Sequence, residues 1–248
     1  MRWGLLFALI LAAWAALYAM SLPADLRAAA RAFGDGGEYG AGFWAGLCKV
    51  SPDSAGYLRA AAMWALMSAA MMAPTALGAF ATYDDLGHAG QTRFGLLVAG
   101  YLAVWLGFSA LAAALQLGLV GLGLLSALGD SRSTMLDAGL LGLAGIYQFS
   151  PLKAACVARC RAPLGFFFQH WDEGAWRMGL RLGLACLGCC WALMLLAFVG
   201  GVSSLAFMGL AMVLMTLEKL PYLGRHVSAP LGIGLLVLAA ASALGATA

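Results

Sequence analysis

Cys186, Cys189 and Cys190 lie in an apolar run, WRMGLRLGLACLGCCWALMLLAFVGG, that covers positions 176 to 201. On a helix the i, i+3, i+4 spacing puts the three thiols on one face. Met194 stands four beyond Cys190 and extends that face as a stripe of soft sulfur. Thiolate and thioether ligands select Cu(I), and also zinc or an iron–sulfur cluster where enough thiolates converge. Packing is the competing reading, because cysteine behaves as a small hydrophobe and methionine as an adaptable filler. An adjacent Cys189–Cys190 pair, however, gains no obvious fit over alanine or valine.

Two further groups could add ligands. Met63, Met67 and Met71 recur every four residues, so they drift only about 40° per step around a helix and share a face. Met208, Met212 and Met215 follow a similar rhythm, with Glu218 three further on. Leucine would specify such packing better than flexible methionine does. Cys156 and Cys160 form a second thiol pair among Lys153, Arg159 and Arg161, and neighbouring cations favour the thiolate form. The C-x3-C spacing matches neither a thioredoxin-like motif nor a zinc knuckle. Those basic residues also fit a plain topological role. Glu218 and Lys219 would sit at the edge of a membrane, where an ionisable group is functional or paired. The pairing alternatives are Lys219, Arg177 and Arg181, and Asp137 is a weaker candidate of the same kind.

The elements that must carry these residues are membrane helices. The chain has 248 residues, 63% of them hydrophobic and 10% charged, with a mean hydropathy of +0.90. Soluble domains carry about 25% charged residues. Long apolar runs without period-2 alternation exclude a barrel, so the fold class is all-α, a polytopic helical bundle. Seven spans are expected: 3–22, 57–80, 94–117, 135–150, 176–201, 203–217 and 229–246. Six is the alternative, with the first or last not crossing. The first run is too long for a signal-peptide core and lacks a clean cleavage site, so it reads as a retained anchor. Pro74 should free a backbone carbonyl at depth, and Pro151 should kink or end its helix. Gly179 and Gly183, four apart, allow a neighbouring backbone to approach closely. The segment 23–56 reads as an outer, partly amphipathic stretch, and Phe166 to Trp176 as an aromatic element lying in the interface.

Loop charges orient the bundle. With the amino terminus cytoplasmic, nine Lys and Arg fall inside (Arg2, Arg93, Lys153, Arg159, Arg161, Arg177, Arg181, Lys219 and Arg225). Five fall outside (Arg27, Arg31, Lys49, Arg59 and Arg132). Basic residues favour the cytoplasmic side. Five of the six cysteines lie between Cys156 and Cys190, in the membrane or on its cytoplasmic side, where disulfides are rare. The net charge of +3 marks topology and points to no nucleic-acid partner. His88, His170 and His226 form no zinc-protease pattern, and neither a phosphate-binding loop nor a nucleophile elbow is present, so nothing argues for an enzyme.

Together these segments resemble a known bacterial family. They are Trp64, Met67, Met71, Met72, Pro74 and Thr75; then Tyr147, Pro151, Lys153, Cys156, Cys160, Arg161 and Pro163; then Gly179, Gly183 and the run CLGCCWALM from Cys186; then Glu218 with Lys219. The pattern is similar to the family catalogued as domain of unknown function 2182, described as predicted metal-binding integral membrane proteins and sometimes labelled copper chaperones. The similarity covers residues 57–219, leaving the first helix, the outer segment and the last helix outside it. It implies that the methionines of the second helix, the Cys156/Cys160 pair and the Cys186/Cys189/Cys190 cluster form the metal-handling set.

The expectation is therefore a single-domain protein of the bacterial inner membrane, in contact with lipid, that handles Cu(I), with zinc the weaker alternative. Cys186, Cys189 and Cys190 would be the core ligands. Met67, Met71, Met194 and Met212 would be accessory ligands, and Cys156 and Cys160 a cytoplasmic uptake or release pair. A partner protein would receive the metal. Thiol redox exchange and a non-catalytic role within a membrane complex are the rival readings.

Overall fold

The computed structural model of the chain describes residues 2–21, 53–87, 93–126, 129–202 and 204–245. Most of the expected outer segment 23–56, with Cys48 and His88, lies outside the described residues. Among the described residues eleven α-helices follow one another: α1 (Arg2–Ser21), α2 (Ser54–Thr75), α3 (Leu77–Leu86), α4 (Phe94–Gly121), α5 (Thr134–Gln148), α6 (Pro151–Arg161), α7 (Pro163–His170), α8 (Ala175–Leu195), α9 (Ala197–Gly200), α10 (Leu205–Lys219) and α11 (Gly224–Gly245). The bundle is all-α, as expected. In its assembly α8 and α2 lie along α4, α11 lies along α5, and α6 packs on α8.

Among the described residues four stretches are long and apolar enough to cross a membrane: Arg2–Ser21, Phe94–Gly121, Ala175–Gly200 and Gly224–Gly245. The number rises to six when the bent pairs α2–α3 and α5–α6 each count once. All seven expected helices are present, but α10 has only 15 residues, short of the roughly 20 that a perpendicular crossing needs. The outer faces are apolar. Leu106, Leu111 and Leu115 on α4 and Ile233, Val237 and Leu238 on α11 are exposed, which suits contact with lipid.

Local chemistry explains the breaks. The expected second helix is two helices, bent by 59° after Thr75. Pro74 has no N–H to give the carbonyl of Ala70, one turn back; the indole Nε1 of Trp14 on α1 donates to that oxygen instead, at 3.0 Å. At the break itself the N–H of Ala76 donates to Ala73 rather than to Met72. The freed Met72 carbonyl accepts from Thr75 Oγ1 at 2.9 Å and Tyr101 Oη at 2.8 Å. Both orphaned carbonyls are thus satisfied by side chains, as apolar surroundings require.

Pro151 likewise starts α6, with Ser150 as its cap, after a 64° bend from α5. α8 and α9 are bracketed by Gly174 and Gly201, both at positive φ, where a side chain would be strained. The aromatic stretch forms α7 and a short 3₁₀ turn, with Phe166 and Phe167 buried and Phe168, Trp171 and Trp176 exposed.

The expected close approach at Gly179 and Gly183 is made against α4. A Cβ on Gly179 would strike the carbonyl of Leu97, and one on Gly183 would lie 3.0 Å from the carbonyl of Tyr101. Gly100 completes the seam from the α4 side, facing Trp176 and Gly179. Small residues let the two backbones touch, and that contact sets Tyr101 opposite Cys186. Farther along α4, Ser109 bonds Ser68 at 3.1 Å and Gln116 Oε1 accepts from Trp64 Nε1 at 2.7 Å, pinning α2 in register.

Candidate metal centre

α8 brings its three cysteines together. The Sγ atoms of Cys186, Cys189 and Cys190 lie within 4.8 Å of one another, and each residue is at most 2% exposed. Cys189 and Cys190 are 3.2 Å apart, sulfur to sulfur, and Cys189 Sγ also donates to the Cys186 carbonyl at 3.1 Å. All five described cysteines are free. Three sulfurs about 2.3 Å from one metal stand about 4 Å from each other in a trigonal plane. The cluster brackets that figure, so a single soft ion fits between the three thiols with small rotamer changes.

Around Cys186 the other helices supply polar groups. Tyr101 Oη of α4 is 3.0 Å from its sulfur, and Lys219 Nζ of α10 donates to it at the same distance. Lys219 Nζ also donates to Thr75 Oγ1, at 2.6 Å. A phenol has one proton, so while Tyr101 donates to Met72 its oxygen can only accept from the thiol. Once Cys186 gives up its proton, the phenol can turn toward the sulfur while Thr75 keeps the Met72 carbonyl satisfied.

Glu218 departs from the sequence expectation. Its partner is neither Lys219, Arg177 nor Arg181 but Lys153 of α6, with Nζ–Oε2 at 2.9 Å and both side chains at most 3% exposed. Arg181 pairs instead with Glu173. The neighbouring Glu218 carbonyl accepts from Arg161 Nε at 2.8 Å. One step of about 100° around α10 separates Glu218 and Lys219, so one binds α6 while the other reaches the thiols. Among the described residues no carboxylate pairs with Lys219, whose contacts are the Thr75 hydroxyl and the Cys186 sulfur.

The second cysteine pair is divided. Cys160 lines the same cavity as Cys186, whereas Cys156 stands over Gly188, where a Cβ would lie 2.5 Å from its sulfur. Tyr147 donates to the Gly188 carbonyl on the same turn. Met67, Met71 and Met194 are buried in the core; on α10 the buried methionines are Met208 and Met215, with Met212 only half-buried beside them. Asp137 lies in the first turn of α5, away from the thiols.

Pro74, Thr75, Tyr101, Cys160, Arg161, Cys186, Thr216 and Lys219 line a cavity of about 390 Å³ below the α2–α3 bend. Sequence reasoning did not pair Tyr101, Thr75 or Lys219 with Cys186. The available signal was a tyrosine inside a span, together with a lysine on the same face of α10 as Met208 and Met215.

The chain is thus a helical bundle with apolar helices of membrane length and a buried three-thiol cluster that could hold a metal ion. The family model PpoB2, described as copper chaperone, matches residues 61–242, and the chain belongs to that family. The matched range runs past the expected 219 and takes in most of α11. No curated protein and no solved structure matches the chain.

Proposed function

We propose that the chain is a Cu(I) chaperone of the bacterial cytoplasmic membrane, with its amino terminus in the cytoplasm and seven crossings. It takes Cu(I) as cargo on Cys186, Cys189 and Cys190 and releases it to a partner during assembly of a copper protein. The buried, disulfide-free cluster carries this reading, and the family description supports it. Three thiols without a carboxylate or imidazole among them form a soft donor set that suits Cu(I) better than harder ions. Met194, Met67, Met71 and Met212 serve as exchangeable thioether ligands. Cys160, on the cavity that Cys186 also lines, offers a fourth sulfur for transfer. The buried methionines and aromatic rings around the site keep water from the cargo.

In the loaded state three thiols share one ion, and their protons are released on binding. Lys219 withdraws to Thr75 as the metal occupies Cys186. The test is copper content at a buffered Cu(I) concentration, with copper X-ray absorption on the detergent-purified chain. One copper per chain with sulfur-only ligation is expected, lost in the triple Cys186/Cys189/Cys190→Ser variant and kept in Cys156→Ser. Equal copper content in the parent and the triple variant, with both folded by thermal melting, overturns the proposal.

Thiol redox exchange draws on Cys160 and Cys186, two thiols from different helices that open onto one cavity. A loss of two free thiols on oxidation, independent of copper, would favour it.

A further inference from the structure

We propose that the cavity beside Cys186 docks a small, carboxylate-bearing thiol that delivers Cu(I) as an anionic thiolate complex. This rests on the reading of the cluster as the copper-receiving site, and it names the form in which the copper arrives.

The cavity is chemically lopsided. It presents two cationic side chains, Lys219 and Arg161, and neither Asp nor Glu is part of its lining. Neither cation forms a salt bridge among the described residues; Arg161 Nε is occupied by the Glu218 carbonyl, the carboxylate of that residue being held by Lys153, and Lys219 by a hydroxyl and a thiol. A bare cuprous cation approaching this wall is repelled, whereas an anionic complex is drawn in. Hydroxyls of Thr75, Tyr101 and Thr216 add polar contacts, and Leu77, Leu182 and Leu220 supply the apolar remainder. At about 390 Å³ the space falls within the range of small-molecule sites, about 300–1,000 Å³.

Two thiols, Cys160 and Cys186, open onto the same cavity, and ligand exchange needs both. The carrier's Cu–S bond breaks as a Cu–S bond to Cys186 forms. The proton of Cys186 leaves with the departing carrier thiolate, and copper stays Cu(I) throughout. Cys160 supplies a second sulfur so that the metal keeps two ligands while the carrier leaves. Copper then passes to Cys189 and Cys190 behind Cys186. The anionic groups of the carrier remain with Arg161 and Lys219 until the thiol departs.

The experiment follows copper transfer into the full-length, detergent-purified chain from Cu(I)–glutathione and from Cu(I) bound to glutathione dimethyl ester, by stopped-flow thiolate-to-copper absorbance. The acid form should load about tenfold faster than the ester at low salt, with the advantage shrinking as salt rises. Arg161→Gln should cut the preference several-fold, leaving the part due to Lys219, and Arg161→Lys should restore it. Equal rates from acid and ester in the unaltered chain overturn the proposal, and so does a preference undiminished in Arg161→Gln. The acid-to-ester comparison needs no variant, so a misfolded Arg161→Gln does not block it. Absence of copper at equilibrium from either source would instead remove the underlying copper reading, and this proposal with it.

Discussion

Alanine at Gly179 and alanine at Gly107 should change stability in opposite directions, although both replace a helical glycine. Gly to Ala in a helix interior gains about 1 kcal/mol from propensity alone. At Gly107, on α4, nothing lies within 4 Å of the new methyl, so that gain is realised in full. At Gly179 the methyl strikes the Leu97 carbonyl, with the Gly100 Cα 3.1 Å away. Both obstacles are backbone and cannot rotate aside. Overpacking costs about 1–3 kcal/mol, and a rigid obstacle puts Gly179 at the upper end, for a net loss of about 2 kcal/mol. For a chain of this size 1 kcal/mol moves the melting temperature by about 2–4 °C. Gly179→Ala should therefore melt about 4–8 °C below the parent in detergent and Gly107→Ala about 2–4 °C above it. Because the seam sets Tyr101 against Cys186, Gly179→Ala should also weaken Cu(I) retention against a competing chelator, while Gly107→Ala should not. If Gly179→Ala melts at or above the parent, the α4–α8 contact is looser than described and the argument that it positions the thiols fails.

Lys153→Met should cost about 3–5 kcal/mol by leaving Glu218 charged and buried without its partner. The double variant Lys153→Met, Glu218→Met should recover most of that loss in the same melting assay. Trp14→Phe leaves the Ala70 carbonyl orphaned and should cost about 1–3 kcal/mol; in a Pro74→Ala background, where an N–H is available again, the penalty should nearly vanish in a double-variant cycle. Tyr101→Phe should leave the fold within about 1.5 kcal/mol of the parent, since Thr75 still serves Met72, yet speed copper loss to a chelator. An unchanged off-rate would deny the phenol a part in holding the cargo.

Much of this architecture was legible before any coordinates. Apolar run length located the helices, Pro151 marked one bend, Pro74 marked the freed carbonyl but not the bend after Thr75, and the Gly179/Gly183 spacing named the seam. The three thiols were fixed by helical period alone. What escaped was everything set by the rotation of one helix against another. Glu218 and Lys219 are adjacent in sequence, so pairing them was natural; one step of about 100° around α10 instead sends the first to Lys153 and the second to Cys186. Cys156 and Cys160 look alike on paper, but α6 lies along α8 so that one falls over Gly188 and the other on the cavity beside Cys186. The 15-residue length of α10 likewise blurred the span count, because a helix that packs against bent neighbours need not have full membrane length.

The glycine seam also has a mechanical meaning. Two backbones in direct contact have no side-chain padding to compress, so α4 and α8 move as one body with Tyr101 and Cys186 fixed upon it. Any widening of the cavity to pass a ligand then falls to the opposite wall, built from the end of α6, the start of α7 and the Leu220–Pro221 corner after α10. The hard parts of the site are those that grip metal, and the yielding parts are those that greet whatever brings it.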